Sequence, residues 1–329
     1  MTKTIRGAVA VLTAASLLAL AACGSTQPTA QAEGDEPAGG GGSAQAISLT
    51  DAEGDAVELD GPAERVATLE WQQTEMVLTL GVEPVAVADP AGYTTWDSAE
   101  TLPEGVADVG TRGEVNLDAL FQTDPDLVVA EMGDPALEQL REYDVPVLVT
   151  QGADAADPVA QMKETFTLIA EALGKVEEAE AVLADLDRSV EDARAAVEAA
   201  APEVTDFVYA DAYVNGSTLA IRPFGQGSLV GELGESIGLT NAWAGEVDPL
   251  YGLGQTDVEG LTAAGDVWFL HTGTEAATWT ASLEGNALWT SSAFVQNDRV
   301  VAFPESIWTF GGPRSAEQLL DGFVASVGG

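Results

Sequence analysis

Cationic side chains are scarce in this 329-residue chain: 12 lysines and arginines stand against 54 aspartates and glutamates, a formal charge of −42. A surface that negative repels phosphate backbones and anionic headgroups, which excludes a nucleic-acid partner and favours solubility. Cysteine occurs once, at Cys23, and histidine once, at His271. A single thiol rules out a disulfide within the chain. A single imidazole rules out a bare zinc or manganese site built on several histidines, so no metal is expected on protein ligands. His271, at the end of an apolar strand, reads as a core or edge residue. No Gly-x-Ser-x-Gly or Walker pattern occurs, and Gly252-Leu253-Gly254 is too short for a dinucleotide fingerprint. Without a nucleophile and base, paired carboxylates or a cofactor cradle, the chain does not read as an enzyme and calls for no cofactor. A hydrolase assembled from dispersed Ser, His and Asp is the residual alternative.

After residue 22 no stretch is both uncharged and as long as the roughly 20 residues that cross a bilayer. Residues 1–22 have a different character: Lys3 and Arg6 precede an apolar run, Gly7 to Ala22, the layout of a signal peptide. Cys23 follows Leu20-Ala21-Ala22 and precedes Gly24-Ser25, a setting that resembles the lipobox of bacterial lipoproteins. That resemblance implies lipidation at Cys23 and anchoring to the outer face of the cell membrane, stable if more than one acyl chain is attached. Residues 23–46, rich in Gly, Ala, Gln and Pro with a Gly39 to Gly42 run, cannot bury enough apolar surface to order themselves and read as a flexible tether.

From Ile47 onward short apolar runs alternate with helical patterns. Strands are expected at Arg65 to Leu69, Pro84 to Ala88, Leu127 to Ala130 and Val145 to Thr150, with helices at Thr74 to Leu80 and Ala136 to Tyr143. Such alternation implies parallel sheet covered on both faces. Between Pro158 and Ala200 the pattern is wholly helical, broken only at Gly174; a helix of up to about 25 residues would run some 37 Å. Strands resume at Phe207 to Ala210, Thr218 to Ile221, Val267 to His271 and Val300 to Phe303, with helices at Ser228 to Ile237 and from Ser315. The expected architecture is α/β, two Rossmann-like lobes (47–157 and 201–329) joined by a helical bridge (158–200). A weak internal repeat agrees: Asn116-Leu117-Asp118 ahead of one strand parallels Asp257-Val258-Glu259 ahead of another.

Several stretches, in order along the chain, resemble the substrate-binding proteins of ABC importers for ferric siderophores, above all the ferric-hydroxamate binders. They are Arg65 to Trp71, Leu80 to Val85, Asp108 to Asp118, Gly227 to Leu229, Gly238 to Trp243 and Trp308 to Gly312. The resemblance covers about residues 62–325 and implies the class III periplasmic-binding-protein fold, limited hinge closure and a shallow interlobe cleft. It further implies that the siderophore satisfies the iron while the cleft grips the organic shell, and that a monomer delivers its cargo to a permease dimer and its ATPase. Binding of cobalamin or haem within the same transporter class is the alternative, and a surface lipoprotein without a transport role is a more distant one.

The resemblance also nominates residues. Arg112, in a Gly-Thr-Arg-Gly turn, matches the arginine that contacts metal-bound ligand oxygens, for which a planar fork of donors is suited. Trp308 and Tyr251 match cleft aromatics, and Arg222 offers a second cation from the other lobe. Trp71, Tyr93 and Trp96 are expected near the cleft mouth, and Glu70 as an acid capping the next helix. Asp118 and Glu259 match the surface carboxylates that dock on permease arginines; aspartate where glutamate is usual shortens the first one's reach.

Overall fold

The computed structural model describes residues 46–215, 218–272 and 276–328. The signal-peptide reading, the Cys23 anchor and the tether through residue 45 lie outside these residues.

The chain opens with an antiparallel hairpin, Ile47–Thr50 on Ala56–Leu59. It then builds an all-parallel five-stranded sheet in the order Ala107–Asp108, Ala86–Val87, Val66–Thr68, Leu127–Glu131, Val147–Thr150. A second sheet centres on Asp206–Asn215, whose first half pairs in parallel with Thr240–Asn241 and Trp268–His271. Val300–Ala302 adds to the far edge, and the outer half of Asp206–Asn215 folds back on Thr218–Pro223 as an antiparallel hairpin.

Strand residues alternate between two apolar bodies, the period-two behaviour of a sheet covered on both faces. In the first sheet Val66, Leu127 and Val129 face one cluster while Ala67, Val128 and Ala130 face another. In the second, Phe207 and Tyr209 join the first of these clusters, whereas Val208, Ala210 and Phe269 pack outward around Trp279, Trp289 and Phe294. One core therefore receives a face of each sheet. It is completed by three helices: Pro158–Ala172, the 25-residue Val176–Ala200, and the C-terminal Pro313–Val327. The expected break falls at Gly174, whose φ of +64° suits a glycine at a helix terminus. The C-terminal helix does not belong to the second sheet alone, since it packs against the 25-residue helix and touches the first helix, Trp71–Thr79.

The start of that C-terminal helix is capped from far away. Its N-cap residue, Gly312, has no side chain, and Pro313 takes the first helical position. The fully buried Glu75 of the first helix supplies the missing acceptor. Its Oε2 accepts from the Gly312 N–H and the Ser315 hydroxyl, both at 2.7 Å, and its Oε1 from the Ser315 N–H at 2.9 Å. A carboxylate at a helix N-terminus is favoured by free N–H groups and the helix dipole together. A Cβ at Gly311 would come within 2.5 Å of Glu75 Oε2, so only glycine lets the acid approach. Asp97, just past the helix Pro90–Trp96, is buried beside this acid.

Candidate functional site

The helix Trp71–Thr79 follows directly on the strand Val66–Thr68, so Glu70, Trp71 and Gln72 sit at the carboxyl end of a parallel sheet, where α/β proteins place ligands. Of these, Glu70 and Gln72 open onto a cavity of about 310 Å³, lined also by Arg112, Glu131, Gly152, Arg222, Tyr251, Leu253, Trp308 and Phe310. That volume lies in the range of small-molecule pockets.

Arg112 projects from the tight hairpin Gly110–Thr111 and Glu114–Val115, turned by Gly113 at φ +76°. Its guanidinium lies over the Trp71 ring at 3.8 Å from the centroid and 5.3 Å from that of Trp308. The two indoles meet edge to face at 4.8 Å. Stacking on a desolvated indole contributes roughly 0.5–2 kcal/mol and fixes the plane of the fork. Arg112 Nη1 donates to Glu70 at 2.9 Å. Glu70 occupies the N-cap position of its helix but makes no capping bond, so the sequence expectation of a helix-capping acid is corrected: the carboxylate turns to the guanidinium. Burial, opposed by Arg112, raises the Glu70 pKa to about 7.

The opposite wall comes from the second half of the chain. Arg222 faces Asp211 across the antiparallel register and grips it with two nitrogens, Nε at 2.9 Å. Trp308 touches Phe310 at 5.1 Å between centroids, and Phe310 touches Tyr251 at 5.5 Å, giving a continuous aromatic wall. Tyr251 is held in a turn in which Asp248 accepts from the N–H groups of Leu250, Tyr251 and Leu253. Its hydroxyl reaches across to the first half and donates to Glu131 at 2.5 Å.

Sequence reasoning did not nominate Glu131, Gln72, Gly152, Leu253 or Phe310. Glu131 ends the strand Leu127–Glu131, and a carboxylate at the carboxyl end of a buried parallel strand was the available signal. Burial raises its pKa, against the bond from Tyr251 and the charge of Arg112. A Cβ at Gly152 would lie 2.4 Å from the Glu131 carboxyl carbon, so this glycine leaves the room the acid occupies. Gln72 Nε2 donates to the carbonyls of Phe310, Gly152 and Gly311 at 3.0, 3.2 and 3.3 Å, tying the floor to both halves.

Of the nominated residues, Arg112, Arg222, Tyr251 and Trp308 meet at this cavity, and Trp71 forms the platform beneath Arg112. Tyr93 and Trp96 do not line it. Tyr93 is fully buried with its hydroxyl given to the Glu100 carbonyl at 3.0 Å, a core contact made by the inner face of its helix. Trp96 ends that helix 37% exposed and is not part of the cavity lining. Asp118 and Glu259 are both exposed, each at the second position of a five-residue helix capped by the side chain of Asn116 or Asp257. His271 is buried, and desolvation lowers its pKa to about 4.

Three comparisons place this geometry among known proteins. The iron(3+)-hydroxamate-binding protein FhuD of Escherichia coli (strain K12) is 29% identical over 271 residues, 80% of this chain and 87% of that protein. The Fe(3+)-citrate-binding protein YfmC of Bacillus subtilis (strain 168) is 27% identical over 263 residues, 79% of each chain. The crystal structure of siderophore-binding FhuD from Vibrio cholerae with bound Fe3+-Desferal superposes with a TM-score of 0.72 at 23% identity, over 80% of this chain and 97% of that one. The fold is thus the class III periplasmic-binding-protein fold, two α/β lobes bridged by helix. With its profile matching residues 66–307, the chain belongs to the periplasmic binding protein family.

Proposed function

We propose that this protein captures a ferric siderophore in the cavity around Arg112 and hands it to an ABC importer. The observation that carries the reading is the pose of Arg112: a guanidinium over the Trp71 ring beside Trp308, with one N–H committed to Glu70 and the side chain lining the cavity. Such a fork suits the clustered hydroxamate or carboxylate oxygens of a chelate whose iron is already satisfied. The aromatic wall from Trp308 to Tyr251 supplies rigid contact area for the organic shell at small entropic cost. Recognition is then of the chelate's surface, and no protein atom enters the iron's coordination sphere.

The wider assignment follows from the same reading. Cys23 carries the lipid anchor, residues 23–46 tether the folded part to the outer face of the membrane, and the monomer docks on the permease dimer through Asp118 and Glu259. The protein transports its cargo and does not transform it. The test is quenching of tryptophan emission by a panel of ferric siderophores, their iron-free forms, haem and cobalamin. Quenching by at least one ferric chelate, without turnover, is the expected result. A response to cobalamin alone would overturn the cargo, and a response to none would overturn the function.

A further inference from the structure

The cavity wall holds more negative charge than it can balance internally. Two cations line it, and each already has its anion: Arg112 pairs with Glu70 and Arg222 with Asp211. Glu131 is left over. Among the described residues no lysine or arginine nitrogen lies within the 4.0 Å of an ion pair from its carboxylate. Its contacts are neutral, the Tyr251 hydroxyl and the Gln73 amide. Asp134, close by, adds charge of the same sign.

Burying an ionised carboxylate without a cation is costly, and a group of opposite charge arriving with a ligand removes that cost. The surroundings hold Glu131 in place for this role. The space at Gly152 admits the carboxyl, Tyr251 fixes one oxygen, and a carboxylate has about four acceptor positions, of which two are used. The ring of Tyr251, with Phe310 at 5.5 Å beyond it, offers an aromatic surface to the same cation.

We infer that Glu131, with Glu70 beside it at the end of the neighbouring strand, selects ferric chelates that carry a positively charged arm, an ammonium tethered outside the iron's coordination shell, over equivalent chelates whose arm is neutral or anionic. This rests on the siderophore reading and names the charge class of its cargo. Glu131 is on this account a specificity-determining residue: the ammonium docks on its carboxylate while Arg112 takes the iron-bound oxygens.

The test keeps the iron core constant and changes only the arm. Ferric desferrioxamine B ends in an ammonium, its N-acetyl derivative in a neutral amide, and its N-succinyl derivative in a carboxylate. Each is titrated against the full chain by tryptophan quenching, with ferric citrate as an anionic chelate of different core. The expected order is ammonium, acetyl, succinyl, with about tenfold in affinity separating the first two, the size of a partly screened ion pair. In Glu131→Gln, which keeps the shape and a bond to Tyr251, the ammonium-to-acetyl ratio should fall to about one. Equal affinities in the unmodified protein, a ratio that survives Glu131→Gln, or ferric citrate binding more tightly than the ammonium chelate would each overturn the inference while leaving the ferric-siderophore function standing. If none of the four binds while another ferric siderophore does, the inference falls alone; if no ferric siderophore binds, the function falls with it.

Discussion

Replacing Asp97 by asparagine should stabilise the protein, and by an amount that grows with pH. Asp97 is 2% exposed; its Oδ1 accepts from the Ala99 N–H at 2.9 Å, while its Oδ2 meets no N–H or hydroxyl donor. Its neighbour is the Glu75 carboxyl; burial raises the pKa of this group too, but its three donors at the start of the C-terminal helix favour the charged form, so of the two it is Glu75 that gives up its proton first. Two buried carboxylates in contact cannot both be charged, so Asp97 keeps its proton. Burial, then the charge of Glu75, raises its pKa from 3.8 to about 9. The unfolded chain gives that proton up near pH 4. The proton's contribution to stability is therefore complete below pH 4 and is lost progressively as pH climbs towards 9. At 1.36 kcal/mol per unit, the step from pH 5 to pH 8 amounts to roughly 4 kcal/mol, and local relaxation reduces this to about 2 kcal/mol. Asparagine presents an N–H to Glu75 and has no proton to lose. Urea unfolding followed by tryptophan emission, on both proteins at pH 5 and pH 8, reads the effect. The stability difference between Asp97→Asn and the unmodified chain should be larger at pH 8 by about 2 kcal/mol. The same difference at both pH values would show Asp97 ionised in the native state and refute the shared-proton argument.

Arg112→Ala should weaken binding of the ferric chelate at least about 30-fold, because it removes the donor fork and leaves Glu70 buried without its cation; titration by quenching measures it. Exchanging Asp118 and Glu259 for arginine should abolish uptake of radiolabelled ferric chelate by cells while the purified protein binds its cargo as before, since both acids are exposed and neither lines the cavity. Cys23→Ser should move the protein from the membrane fraction to the medium or soluble fraction, which immunoblotting of fractionated cells detects.

The long helix was legible because 25 residues of regular apolar spacing leave one reading, and Val176–Ala200 forms as the pattern requires. The stretch Ala136 to Tyr143 shrinks to one turn, Leu137–Leu140, too short to be stable by its own hydrogen bonds and kept by packing of Leu137 and Leu140. The short helices between residues 276 and 296 were not foreseen at all. They lack periodicity, and Trp279, Trp289 and Phe294 are gathered by the single ring of Phe269, a long-range contact invisible in local sequence. The site divides in the same way. Arg112 and Trp308 stand in stretches whose order along the chain carries the resemblance, whereas Tyr251 and Arg222 lie outside those stretches and were nominated singly, as an aromatic and as a cation after a strand. Glu131 and Gln72 owe their positions to partners 120 and 238 residues away, Tyr251 and Phe310. Tyr93 and Trp96 stay out of the cavity lining because one short helix turns one inward to the core and leaves the other exposed at its end.

One apolar body joins the two sheets, with residues as far apart in sequence as Val66 and Phe323 interlocked inside it. Prising the halves apart would wet hydrocarbon at roughly 25 cal/mol for every Å². Cargo therefore enters and leaves without the frame yawning. A receptor so stiff wears nearly the same silhouette empty or laden, and an importer that meets it must tell the two apart by the texture of the mouth and not by the outline of the whole.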